Sequence, residues 1–236
     1  MTTIASYIAA VVHLAPGSYP WSGADLTSKE TLAVTMALKT HSRHKPRTVV
    51  EDESGTGVFD YAITALAKWS DEFSNIRQIE YPVDDTDEAA DILEDGDWAI
   101  YEKPTGKVIR FLADKPATGK SFRVTYTGVH DFSGAASACT VAAFDEEAVQ
   151  ALAAAMFCRM LSVYYSQNQD STIAADSVDH KSKAAEYRSQ AKMLAQVYYD
   201  HMGIKEGQPR PASLNQDQDV DYPGGADRLT HPRRHR

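Results

Sequence analysis

Apolar residues recur along this chain with two different periods, and the change of period divides it. From Phe144 to Gln167 the sequence is apolar almost all round and crowded with alanines, which predicts a helix covered on most sides. Asp145-Glu146-Glu147 places three acids in its first turn, where the helix dipole favours them. The small residues from Ala148 to Met160 permit close approach of neighbouring helices. Asp176 to Met202 predicts a second, amphipathic helix, with Tyr187, Ala191, Leu194 and Tyr198 on one face and Gly203 as its stop. Its opposite face carries Lys181, Lys183, Glu186, Arg188 and Lys192. Near the N-terminus, Ile4 to Leu14 predicts a short helix or arm. Thr27-Ser28-Lys29-Glu30 has the form of a capping box and predicts a helix with Leu32, Met36 and Lys39 on one face, ending near His41 before Pro46. Glu51 to Gly57 is acidic and glycine-containing, which predicts a loop, and Phe59 to Trp69 has Tyr61, Ala62, Ala65, Leu66 and Trp69 at helical spacing.

From 71 to 132 the period shortens to two. Ile76, Gln78 and Glu80 predict a strand that stops at Tyr81-Pro82. Asp97-Trp98-Ala99-Ile100-Tyr101-Glu102 and Lys107-Val108-Ile109-Arg110-Phe111-Leu112 flank the turn Lys103-Pro104-Thr105-Gly106, a hairpin signature. A further strand is predicted over Ser121 to Thr127, with Phe122, Val124 and Tyr126 on one face. The fold class is therefore α+β: a mainly helical body, made of the hairpin 144–203 and N-terminal helices, carrying an inserted small antiparallel β-sheet. The organisation expected is an N-terminal arm or short helix over 1–26, a helical segment over 27–70, the β domain over 71–132, a long helical hairpin over 133–207 that joins 27–70, and an extended or disordered C-terminal arm over 208–236. That last stretch holds Pro209, Pro211, Pro223 and two adjacent glycines, with few apolar side chains to offset its ordering entropy.

Charge sharpens the picture. The chain of 236 residues has a net charge of -9, and the segment 71–100 alone holds eleven acids against the single base Arg77. One thirty-residue stretch thus accounts for the whole excess. It reads either as a solvated acidic loop or as a surface that repels nucleic acid, as the lining of a channel for DNA requires. A sequence-specific DNA binder is disfavoured, because no basic stripe is present to neutralise phosphates. The last six residues, His231 to Arg236, are basic and read either as a solvated tail or as an arm that docks on an acidic neighbour or touches DNA phosphates. Mean hydropathy of -0.41 and the lack of eighteen consecutive apolar residues argue against a membrane span. Ile4 to Leu14 lacks the basic flank and cleavage site of a signal peptide. Cys139 and Cys158 sit in apolar surroundings and read as buried free thiols of a reducing compartment.

Candidate chemistry is thin. Asp176, Asp179 and His180 could in principle hold a divalent metal, and a metal-dependent hydrolase built on them is one reading. The alternative is helix capping, with Asp176 or Ser177 at the N-cap and Asp179 in the first turn. His13, His41 and His44 read as surface or satisfied histidines. Gly55-Thr56-Gly57 and Thr118-Gly119-Lys120 lack the spacing of a phosphate loop, and Ser133 to Ser137 lacks that of a nucleophile elbow. No catalytic residue, cofactor or metal ligand is assigned, and a structural part rather than an enzyme is expected.

Five stretches together carry a family resemblance. They are Gln78-Ile79-Glu80-Tyr81-Pro82, Asp97-Trp98-Ala99-Ile100-Tyr101, Phe122-Arg123-Val124-Thr125-Tyr126-Thr127 ahead of His130, the helix end Tyr164-Tyr165-Ser166-Gln167, and Asp170-Ser171-Thr172-Ile173-Ala174-Ala175-Asp176-Ser177-Val178-Asp179-His180-Lys181-Ser182-Lys183 followed by a helix to Tyr198. In this arrangement the chain resembles the head-to-tail connector (adaptor) proteins of long-tailed bacteriophages over roughly residues 27 to 202. The last stretch is the most specific. The resemblance implies a ring of about a dozen identical subunits between the portal of the head and the tail, with genomic DNA passing through its lumen. The implied partners are the portal protein and a tail-side connector or tail terminator, with no membrane. The implied location is the neck of the virion, and the host cytoplasm during assembly. A tail-completion or minor capsid docking module that forms no such ring is the alternative. Interface candidates are Asp84, Asp85, Asp87, Glu88, Asp91, Glu94, Asp95 and Asp97 in the acidic segment, and Arg233, Arg234 and Arg236 in the tail.

Overall fold

The computed structural model describes residues 3–17, 19–83, 91–94, 96–133, 138–167 and 180–205, and its helices form where the sequence can cap or bury them. Thr3 opens α1 (Ile4–Leu14): its hydroxyl accepts the Ser6 N–H, and the Ser6 hydroxyl accepts the Thr3 N–H in return. This is the reciprocal cap that the sequence led us to expect at Thr27. The second helix, α2 (Gly23–His44), instead starts a turn earlier, after Ser22. The Thr27 hydroxyl lies inside it and donates to the Gly23 carbonyl at 3.3 Å. The extra turn packs Leu26 against the helical core, which favours starting before the local cap signal.

The centre of the helical body is α3 (Glu146–Gln167), against which α1, α2 and α4 (His180–His201) all pack. Phe157 and Leu161 are wholly buried there, and Ala148, Ala153 and Ala154 bring no side chain beyond Cβ, so neighbouring backbones close in. By length and composition α3 could cross a bilayer, although it has no unbroken run of eighteen apolar residues; most of it is buried inside the body. α4 lays Ala191 and Tyr198 into the core, with Tyr187 and Leu194 half-buried beside them, along the stripe expected from the sequence. The Ser162 hydroxyl donates to the Ala184 carbonyl at 2.9 Å, and Tyr165 stacks on Tyr187 with centroids 5.6 Å apart. The polar link before His180, with Asp176 and Asp179, lies outside the described residues, as does the stretch from 206 to 236. The N-terminal helix is no loose arm, since Tyr7 and Val11 are fully buried in the same core.

The β module begins earlier than expected. Its strands are β1 (Arg47–Ser54), β2 (Asp60–Ala62), β3 (Ile76–Glu80), β4 (Trp98–Lys103), β5 (Gly106–Phe111) and β6 (Ser121–Gly128). They form two antiparallel three-stranded sheets, ordered β1-β6-β3 and β2-β5-β4, with a two-stranded ribbon of β7 (Phe132–Ser133) and β8 (Ala138–Cys139) beyond. The α+β class is as expected, and so are the β4–β5 hairpin and the strands β3 and β6. Two local expectations fail. The acidic stretch from Glu51 is not a loop but the second half of β1, because β6 answers its charges: Asp52 accepts two hydrogen bonds from Arg123, at 2.7 and 3.0 Å. Phe59 to Trp69 is not a helix. Tyr61 pairs with Ile109 in β2, and a single 3-10 turn (Ile63–Ala65) follows, so that Ile63 and Leu66 enter the sheet core. The helical segment expected over 27–70 therefore ends at His44. The two sheets share one core, in which Phe111 and Phe122 meet edge to face at 5.2 Å. Gly55 closes the end of β1: its N–H reaches the Lys120 carbonyl at 2.7 Å, and a Cβ there would collide with the carbonyl oxygens of Ala117 and Lys120.

Candidate functional site

Three features stand out: a buried polar junction between the helical body and the β module, an acidic face on the module, and an apolar groove on the body. The junction forms where α2 runs into β1 and the chain leaves β6 for α3. Ser42, on the last turns of α2, donates to the Leu38 carbonyl and accepts the His130 N–H at 2.9 Å. The His130 ring is held at both nitrogens: Nε2 donates to the Lys45 carbonyl at 2.9 Å, and Nδ1 lies 3.2 Å from the Thr140 hydroxyl. A donating Nε2 fixes the neutral tautomer, and burial lowers the affinity of this ring for a second proton. The His41 ring lies 5.0 Å away and has no exposed surface. Tyr198 of α4 reaches both His44 Nδ1, at 2.9 Å, and His41 Nδ1, at 3.3 Å. Giving the Tyr198 proton to the shorter contact leaves His41 donating from Nδ1. Its Nε2 is then a bare lone pair, with no hydrogen-bond partner among the described residues. Burial, reinforced by His130, holds the His41 imidazole down to about 4.

Asp145 seals the same junction from the start of α3. It is nearly fully buried and accepts from Lys45 Nζ at 2.6 Å and faces His201 Nε2 at 3.0 Å. Burial alone would raise its carboxyl, but the hydrogen bonds from Lys45 and His201 outweigh that and hold it below the ordinary range. His41, His44, His130, Asp145 and Tyr198 come from four separate stretches of sequence. Only their residue types were visible beforehand, and the reading of His41 and His44 as surface or satisfied histidines missed the shared tyrosine.

Of the candidate interface residues, the structure places Asp91, Glu94 and Asp97. Asp84, Asp85, Asp87, Glu88 and Asp95 lie outside the described residues, as do Arg233, Arg234 and Arg236. Asp91 and Asp97 line a cavity of about 340 Å3 together with Asp114, Tyr81 and Leu93. Glu94 stands on its edge, its N–H donating to the Asp97 carboxylate at 3.2 Å. Asp114 was not singled out from the sequence. Ile92 and Leu112, next in sequence to lining residues, are both about half exposed. The groove, also missed, lies between α2 and α3 and encloses about 560 Å3. Leu32, Met36 and Val163 line it while remaining 47, 41 and 55% exposed, and Lys29 and Arg159 stand among them.

Among the described residues no three His, Cys, Asp or Glu side chains converge as metal ligands. Cys158 is buried with its thiol pushed up to about 12, and Cys139 bonds the Tyr7 hydroxyl at 3.5 Å; neither is in a disulfide. What the surface offers is contact area, apolar on the helices and acidic on the sheets. No family model matches the chain, and no curated protein matches it.

Proposed function

We propose that this protein is a structural part of a tailed-phage particle, a head-to-tail connector that assembles as a ring between portal and tail and lets DNA pass through its lumen. The observation that carries the reading is the apolar surface left open on a well-packed helical body: the groove around Leu32, Met36 and Val163, and Met193 and Val197 on the outer face of α4, 69 and 51% exposed. Exposed apolar area of this kind marks protein–protein contact. The sequence stretches that resemble connector proteins fall on both modules, so one chain joins a helical body to a β module as a part with two neighbours requires. The net charge of -9 suits a part that DNA passes without binding.

Mass in solution, with and without a candidate portal ring, tests the proposal. A connector adds about twelve copies per portal. A chain that stays a monomer and ignores the portal contradicts it. If it instead binds elsewhere in the particle without forming a ring, the docking-module reading replaces it.

A further inference from the structure

We infer that the groove between α2 and α3 of one copy receives the acidic face of the β module of a second copy. This rests on the ring reading and gives that ring its contact. The groove is apolar at its floor and cationic at its edges. Lys29 Nζ stands 5.9 Å over the Trp21 ring, Arg159 extends along the Met156 sulfur at 4.0 Å, and among the described residues no acidic side chain lines it. Leu32 and Met36 continue from Lys29 along the exposed side of α2. On a chain with net charge -9 this is a local reversal of sign.

The β module presents the complement. Asp91, Asp97 and Asp114 line its cavity, among the described residues no lysine or arginine does, and the half-exposed Leu112 is next in sequence to the lining residue Ala113. The Leu112 N–H bonds the Asp97 carbonyl at 2.7 Å, which holds apolar and acidic groups side by side. A methionine-rich floor adapts to the shape of such a partner. Because groove and face belong to different modules of one chain, each copy offers one and uses the other. That is a heterologous contact, the kind that closes into a ring when its rotation permits. Opposite charge at the edges makes the association salt-sensitive and sets its direction.

The test is self-association of the full chain by sedimentation at low and high salt, with and without the portal ring, using charge reversals. Lys29→Glu with Arg159→Glu reverses the groove; Asp91→Lys with Asp114→Lys reverses the face. Each pair is expected to weaken low-salt assembly by about tenfold or more, and a chain carrying all four changes is expected to recover it. As a readout that does not depend on charge, Val163→Cys with Leu112→Cys is expected to give an oxidation-dependent ladder of linked copies. Rings that persist through both reversals, with no ladder, overturn this contact and leave the ring standing. Rings lost only when Met193 and Val197 are changed assign the contact to α4 and overturn it too. A chain that never assembles, with or without the portal, removes the ring reading itself and this contact with it.

Discussion

Acidification puts a number on the buried junction. His41 is fully excluded from solvent, and burial, reinforced by His130, lowers its imidazole from 6.5 to about 4. Protonation would place a second N–H at Nε2, which has no acceptor among the described residues, with His44, His130 and Lys45 adding repulsion that Asp145 offsets only in part. An unfolded chain accepts that proton near 6.5 while the folded chain resists it down to about 4. The sign follows from linkage. Above the upper value the ring is neutral in both states and costs nothing; stability falls as pH drops through the window; below the lower value the loss stops growing. Between about pH 7.5 and about pH 4.5 the loss from His41 alone works out at about 2–3 kcal/mol. His130, also lowered chiefly by burial, adds to it, whereas Glu30, raised by burial, works the other way because its folded form holds a proton to higher pH. Urea unfolding of the wild type and His41→Gln at matched pH values cancels these shared contributions. The variant is expected to lose about 2–3 kcal/mol less than the wild type over that range, with unchanged denaturant slopes. Equal losses in the two proteins would refute the assignment of a buried neutral imidazole.

Other substitutions probe the rest of the framework. Tyr198→Phe removes the hydroxyl shared by His41 and His44 and is expected to cost about 1–2 kcal/mol in chemical denaturation; no change would mean the two rings find other partners. Gly55→Ala drives a methyl group into the Ala117 and Lys120 carbonyls, so a loss of about 1–3 kcal/mol is expected from thermal or urea unfolding. Phe157→Ala empties the centre of α3 and is expected to cost about 3–5 kcal/mol, enough to remove much of the folded population of a marginal domain.

The helices were legible in the sequence because their evidence is local and periodic. Ala191 and Tyr198 lie buried on the stripe their spacing marks, and the β4–β5 hairpin forms at its proline–glycine turn. The start of α2 was misread because a capping pattern at Thr27 competes with one more turn of buried apolar surface around Leu26. The misreading of β1 has a different cause. Glu51-Asp52-Glu53 looks like a loop until Arg123, 71 residues away, is placed opposite Asp52. Tyr61, Ala62, Ala65, Leu66 and Trp69 suit a helix in isolation, and only the pairing of Tyr61 with Ile109 decides for a strand. The junction was partly legible: His41 follows Val34, Ala37 and Leu38 on one helical face, a position that implies burial. Its partners His130, Asp145 and Tyr198 carry no such signal, since each is brought in by tertiary packing. The groove is the product of two helices, neither of which marks it alone, although Leu32 and Met36 on the exposed side of α2 were a local hint.

The most direct test of the connector proposal is cryo-electron microscopy of phage particles that contain this chain. The expected result is a closed ring of about twelve copies at the neck, helical bodies against the portal, with DNA in the lumen. Density for this chain elsewhere in the particle, or none in the virion at all, would contradict it.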